Sequence, residues 1–220
     1  GLGTETVSYV TATADVAITI NGSGTNANGA TVILTGIENL VGSDHNDTLT
    51  GDSGANLIIG GAGNDTLNGM GGSDTLSYAD AAGAISLSLA SVTAQNTGGA
   101  GIDTVSNFEN IIGSAFADTL SGDGGDNTIE GGAGADVLSG GLGTDTASYA
   151  HSNAAVTVDL SAGTGSGGHA QGDTLTGFEH ILGSNFNDTL TGDGSANILD
   201  GGAGDDLLIG GAGNDTLIGG

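Results

Sequence analysis

The 220-residue chain carries 46 Gly, 26 Asp plus Glu and four His, with no Lys, Arg, Cys or Pro, for a formal charge of -26. Such a polyanion is repelled by phosphate backbones and anionic bilayers, so nucleic acid is excluded as a partner and cations are the natural complement. Disulfide and thiolate chemistry are impossible, and 36% apolar but only 3% aromatic residues point to a thin, repetitive core.

No run approaches the ~18 uninterrupted apolar residues of a membrane span, so membrane insertion is not expected. The chain has no initiating Met and opens and closes within repeated sequence, which suggests a piece of something longer. Helix is disfavoured throughout, because each Gly costs about 1 kcal/mol relative to Ala and no 3.6-residue apolar period persists.

In chain order, spacers 9–41, 78–112 and 149–182 alternate with blocks 42–77, 113–148 and 183–218, a long period of about 70 residues. Each spacer opens on Ser-Tyr (Tyr9, Tyr78, Tyr149). It then alternates apolar residues at period two (Val16, Ile18, Ile20; Ile85, Leu87, Leu89; Val156, Val158, Leu160), passes a polar glycine-containing stretch and closes near Glu38, Glu109 or Glu179. Such alternation predicts strands. The spacer length, about twice 18 residues, fits two further coils of one solenoid, with outward-bulging loops as the alternative.

Each block holds four nine-residue units. The first reads GSDHNDTLT from Gly42, GDSGANLII from Gly51, GGAGNDTLN from Gly60 and GMGGSDTLS from Gly69. Position eight is aliphatic (Leu49, Ile58, Leu67, Leu76 and their equivalents) and predicts a core row. Position six is acidic or Asn in every unit: Asp47, Asn56, Asp65, Asp74; Asp118, Asn127, Asp136, Asp145; Asp188, Asn197, Asp206, Asp215. A six-residue turn plus a three-residue strand makes half a coil, so residue i stacks on residue i+18 in an all-β solenoid with about 18 residues per coil, continuous over 1–220. Carboxylates stacked about 4.8 Å apart repel by roughly 1 kcal/mol in water and by several kcal/mol at an effective dielectric near 20. A row of them therefore calls for cations between the turns, and hard oxygen ligands without thiolates or clustered imidazoles select calcium.

GGAGNDTLN at Gly60 and GGAGNDTLI at Gly210 resemble the Gly-Gly-x-Gly-x-Asp-x-aliphatic-x motif of the repeats-in-toxin (RTX) calcium-binding proteins. The resemblance implies a parallel β-roll, calcium held between turns by aspartates and loop carbonyls, export by a type I pathway, and folding outside the cell. Carried onto this sequence, it adds Gly60, Gly61, Ala62, Gly63, Gly131, Gly132, Gly134, Gly141, Gly143, Gly201, Gly202, Gly204, Gly211 and Gly213 to the position-six residues as the calcium set. Pairing position six at i and i+18 gives three Asp–Asp pairs (47/65, 118/136, 188/206) and three Asn–Asp pairs (56/74, 127/145, 197/215). About six ions or more are expected, the Asn–Asp sites being weaker unless Asp52, Asp123 and Asp193 restore charge. His45, Phe116 and Phe186 replace the position-four Gly in the first unit of each block, so those turns are expected to ligate poorly.

The four His do not recur at equivalent positions, and no nucleophile elbow, zinc-protease motif or phosphate loop occurs, so catalysis is not expected. The recurrent Tyr residues read as core or junction packing and the recurrent Glu residues as structural hydrogen-bonding groups. The leading expectation is a calcium-dependent stalk or fibre element of a secreted or cell-surface protein, able to associate end to end through open strand edges. The alternative is the secretion and folding module of an exported enzyme or toxin.

Overall fold

A computed structural model describes residues 3–220. The chain is built almost wholly of strands, most of them three residues long, with a single 3-10 turn at Gly168–Ala170 among the described residues. It forms two compact units, the first ending at Asn110 and the second running Ile111–Gly220. Each is a parallel β-roll.

In the first unit, Thr6–Ser8, Asn39–Ser43, Leu57–Gly61 and Thr75–Ser77 stack in parallel as one wall. The facing wall stacks Ile102–Ser106, Thr66–Asn68, Thr48–Thr50 and Ala17–Thr19. In the second unit one wall holds Thr128–Glu130, Thr146–Ser148, His180–Leu182, Ile198–Asp200 and Thr216–Ile218. Within the blocks the register is i to i+18, as in Leu49 on Leu67, Leu120 on Leu138 and Leu190 on Leu208. The nine-residue half coil read from the sequence is the observed one.

The inward rows explain why so few apolar residues suffice. Leu49, Ile58, Leu76, Leu120, Ile129, Leu190 and Leu199 have no exposed surface, so each aliphatic side chain touches both its stacking neighbours and the opposite wall. The flanking outward positions carry Thr48, Thr66 and Thr104, whose β-branched side chains suit a pleated surface facing water.

The spacers differ from two stacked parallel coils. Each adds one strand to one wall and turns back on itself on the other. In the third spacer, Thr157–Asp159, Thr164–Ser166 and Thr174–Thr176 form an antiparallel meander whose outer strands pair in parallel with Thr189–Thr191 and Val137–Ser139. The first spacer repeats it with Ala17–Thr19, Ser23–Thr25 and Thr31–Ile33. In the second, Gln95–Asn96 pairs with Ile102–Asp103, and the Gln95 side-chain amide bridges to Ser88 N and O at 2.9 Å each. The cause is the polar stretch, which supplies residues that accept positive φ (Asn21 52°, Gly29 74°, Gly163 66°). Tight turns there reverse the chain before it can cross to the other wall.

Met70 sits at φ 76° where the other second-coil loops of the blocks carry glycine. A side chain in the left-handed region costs roughly 1–2 kcal/mol. Met70→Gly is therefore expected to raise stability in calcium by about 0.5–1 kcal/mol after the entropic cost of glycine, measured by urea unfolding. A destabilised variant would contradict the strain.

Candidate metal centres

Each block closes two coils, and the position-six side chain meets different surroundings in each. In the first coil it closes its own loop. The Ser43 N–H donates to Asp47 Oδ2 at 2.6 Å, the Ser43 hydroxyl reaches the same carboxylate, and the Val16 N–H donates to Oδ1 at 2.8 Å. Ser114 holds Asp118 and Ser184 holds Asp188 in the same way, with N–H to Oδ2 distances of 2.5 Å in both. On the opposite flank Asn56, Asn127 and Asn197 each accept the N–H of the position-two residue, Asp52, Asp123 or Asp193, at 2.8 Å. The Asn56 and Asn197 amides then donate to the Glu38 and Glu179 carbonyls at 3.1 and 2.9 Å.

In the second coil the same slot is half used. Oδ1 accepts a backbone N–H from the residue 18 positions earlier: Asp47 to Asp65, Asn56 to Asp74, Asp118 to Asp136, Asn127 to Asp145 and Asp188 to Asp206, all at 2.8 Å, and Asn197 to Asp215 at 3.0 Å. Oδ2 of Asp65, Asp74, Asp136, Asp145 and Asp206 is buried and has no hydrogen-bond partner. A buried anionic oxygen left unpaired costs several kcal/mol, so five in one geometry mark a missing positive partner.

The glycines produce this difference. At position two, Gly61, Gly132, Gly141, Gly202 and Gly211 have φ of 100°, 89°, 112°, 81° and 91°. The N–H that closes the first-coil loop makes no such bond here, and the carboxylate keeps a free lone pair. At position four Gly63, Gly134, Gly143, Gly204 and Gly213 are also left-handed. Gly61 and Gly63 lie so close to the Ser43 and His45 carbonyls of the coil below that a side chain would strike them. At position one, a methyl on Gly60, Gly131 or Gly201 would strike Oδ2 of Asp65, Asp136 or Asp206. Ala62, at position three, faces solvent. The loops therefore offer a cradle of carbonyls around one unpaired carboxylate oxygen, a donor set that fits calcium.

Two expectations change on this geometry. Asp47, Asp118 and Asp188 are engaged by serines in the first coil, so the orphaned oxygens fall on the second-coil aspartate of Asp–Asp and Asn–Asp pairs alike. Asp52, Asp123 and Asp193 also supply backbone N–H groups to the Asn side chains, and the Asp52 and Asp123 carboxylates add negative charge near Asp74 and Asp145. His45, Phe116 and Phe186 sit in loops whose position four is not left-handed, so a side chain is tolerated there, and their carbonyls face Gly63, Gly134 and Gly204.

Sequence reasoning missed the ends of the rows. The Asp65 and Asp136 N–H groups donate to Asp103 and Asp173 in the spacers, at 2.9 Å each. Asp103-Thr-Val and Asp173-Thr-Leu repeat the Asp-x-aliphatic core of the nonapeptide, a signal available in the sequence. Glu109 and Glu179 do the same for Asp74 and Asp145, at 2.8 and 2.9 Å, which is the structural role expected of them. Tyr78 and Tyr149 are buried in the core, and burial followed by the nearby Asp103 or Asp173 charge raises both hydroxyls far above the usual phenol range. His151 pairs its Nδ1 with Glu130 at 2.9 Å and His180 Nδ1 accepts the Ile198 N–H. Among the described residues no three His, Cys, Asp or Glu side chains converge into a group that could hold a metal ion, so any cation here would rest on one or two carboxylates and backbone carbonyls.

A stacked β-roll with an unpaired carboxylate oxygen at every second coil defines a class of solenoid suited to binding cations. The sequence pattern of the RTX calcium-binding nonapeptide repeat matches in four copies, at residues 41–76, 112–147, 173–208 and 182–217. These span just over half of the chain, which belongs to that family and is a calcium-binding repeat segment. No curated protein matches it.

Without calcium, burial pushes the carboxyls of Asp65 and Asp136 up to about 7 and that of Asp74 up to about 6, and neighbouring carboxylates push the same way. A raised folded-state pKa favours the protonated form, so the stability it contributes is present at acid pH and lost as pH rises through 6 to 7. In chelator, far-UV circular dichroism is expected to report more β structure at pH 5 than at pH 8, and saturating calcium to erase the difference. Equal spectra in chelator at both pH values would contradict this. Asp65→Asn is expected to weaken one calcium site about tenfold, or about 1.4 kcal/mol, and Asp47→Asn by much less, read by calcium titration.

Proposed function

We propose that this segment is a calcium-dependent structural element, a stalk or fibre, of a secreted or cell-surface protein, and that it folds when it meets calcium outside the cell. The observation that carries this reading is the recurrence of the unpaired second-coil carboxylate oxygen. About six ions, one for each second-coil aspartate, would satisfy the recurrent sites. RTX repeats are typical of secreted proteins, and no helix among the described residues is long and apolar enough to cross a membrane.

The physical logic is metal-coupled folding. Where free calcium is scarce, the -26 charge and high glycine content keep the chain extended. At extracellular calcium, each site filled at a hundredfold over its Kd adds about 2.7 kcal/mol to the folded state. The element bears load and carries out no chemistry of its own. End-to-end association through strand edges extends it into a fibre.

Single-molecule stretching between the chain ends tests the reading. Stepwise unfolding in calcium that vanishes on chelation is the expected result. A featureless extension curve in millimolar calcium would overturn it.

A further inference from the structure

We infer that the buried hydroxyls of Tyr78 and Tyr149 end the calcium rows, each occupying the carboxylate lone pair that one coil away is left for the cation. The inference rests on the calcium reading of the second-coil aspartates.

In the second compact unit the position-six slots of three neighbouring strands hold Asp118, Asp136 and Asp173. The Asp118 N–H donates to Asp136 Oδ1 at 2.8 Å and the Asp136 N–H to Asp173 Oδ1 at 2.9 Å. Val137–Ser139 and Thr174–Thr176 pair in register, so Asp173 is carried into place as Asp136 is. Both carboxylates are buried, with relative exposures of 0% for Asp136 and 2% for Asp173. They differ in the second oxygen. Asp136 Oδ2 has no partner, whereas Asp173 Oδ2 accepts the Tyr149 hydroxyl at 3.0 Å.

The first unit repeats the arrangement independently. Asp65 Oδ2 is unpartnered, and Asp103 Oδ2, in the next slot, accepts the Tyr78 hydroxyl at 3.0 Å and the Thr97 hydroxyl at 2.9 Å. In the first spacer the residue matching Asp103 is Val32, six residues before Glu38 as Asp103 is before Glu109, so no carboxylate stands at that position for Tyr9 to hold.

The chemistry is a substitution of one electrophile for another. A buried carboxylate needs its second oxygen compensated, and a hydroxyl can do so as a charge-assisted hydrogen bond where the loop offers no second glycine cradle. Tyr78 and Tyr149 are therefore positioning residues that decide which aspartates stay outside the cation row.

Counting bound calcium by titration calorimetry on the full chain tests this. Asp136→Asn is expected to lose one ion and Asp173→Asn to keep the wild-type number. Tyr149→Phe is expected to gain one ion, and the gain to disappear in Tyr149→Phe/Asp173→Asn. Loss of an ion in Asp173→Asn, or no gain in a Tyr149→Phe protein that folds in calcium, would overturn the inference. If Tyr149→Phe does not fold, the contrast between Asp136→Asn and Asp173→Asn decides. A wild-type chain that binds no calcium would instead overturn the calcium reading itself.

Discussion

The structure depends on one hydrogen bond repeated along both flanks: a backbone N–H at position six donates to Oδ1 of the position-six aspartate one coil later, as from Asp47 to Asp65. It ties loop to loop at the register that the strands set, and it spends only one oxygen of each carboxylate. What becomes of the other oxygen determines the loop conformation, the need for glycine and the place of the cation. A roll whose core is a thin row of Leu and Ile cannot carry unpaired buried charges, because apolar contact between short strands yields little surplus over the entropy of ordering so much glycine.

Three solutions to that second oxygen occur in the same slot. Serine at position two closes the Asp47, Asp118 and Asp188 loops from within, a left-handed glycine leaves the second-coil oxygen unpartnered, and a tyrosine hydroxyl takes up the second oxygen of the spacer aspartate at the end of that row. The first solution gives each block a coil whose polar groups are satisfied without metal, on which the metal-dependent coil stacks. The spacers belong to the same scheme, since they deliver Asp103, Asp173, Glu109 and Glu179 to the slots above the cation sites.

Much of this was legible in the sequence because the repeat multiplies a weak signal. The aliphatic position eight gave the core, the period of nine gave the half coil, and the position-six row gave the site. The spacers were misread because a 34-residue length is compatible with either two coils or one coil with a meander, and only turn geometry at residues such as Asn21 and Gly163 separates them. The split between first-coil and second-coil aspartates was not legible from the motif. It depends on whether position two is a serine, as at Ser43, or a residue held in the left-handed region, as at Gly61 with φ 100°, and the consequence of that choice is a direction of one N–H. Asp103 and Asp173 were overlooked although their Asp-Thr-aliphatic sequence is that of the repeat.

Charge bookkeeping sets the limits of this design. About six divalent ions would neutralise about 12 of the 26 acidic charges. The ions act where repulsion is strongest, between buried carboxylates one strand spacing apart, and the remaining charge stays on the surface, where water and salt screen it. Under the metal-coupled folding proposed above, a chain with fewer acidic residues would fold more readily without calcium. A chain lacking the serine, tyrosine and glutamate closures would need a cation in every slot of both rows. Under the reading proposed above, mixing closures would confine calcium to the second coils, and a sparse set of ions would then govern the folding of the whole repeat.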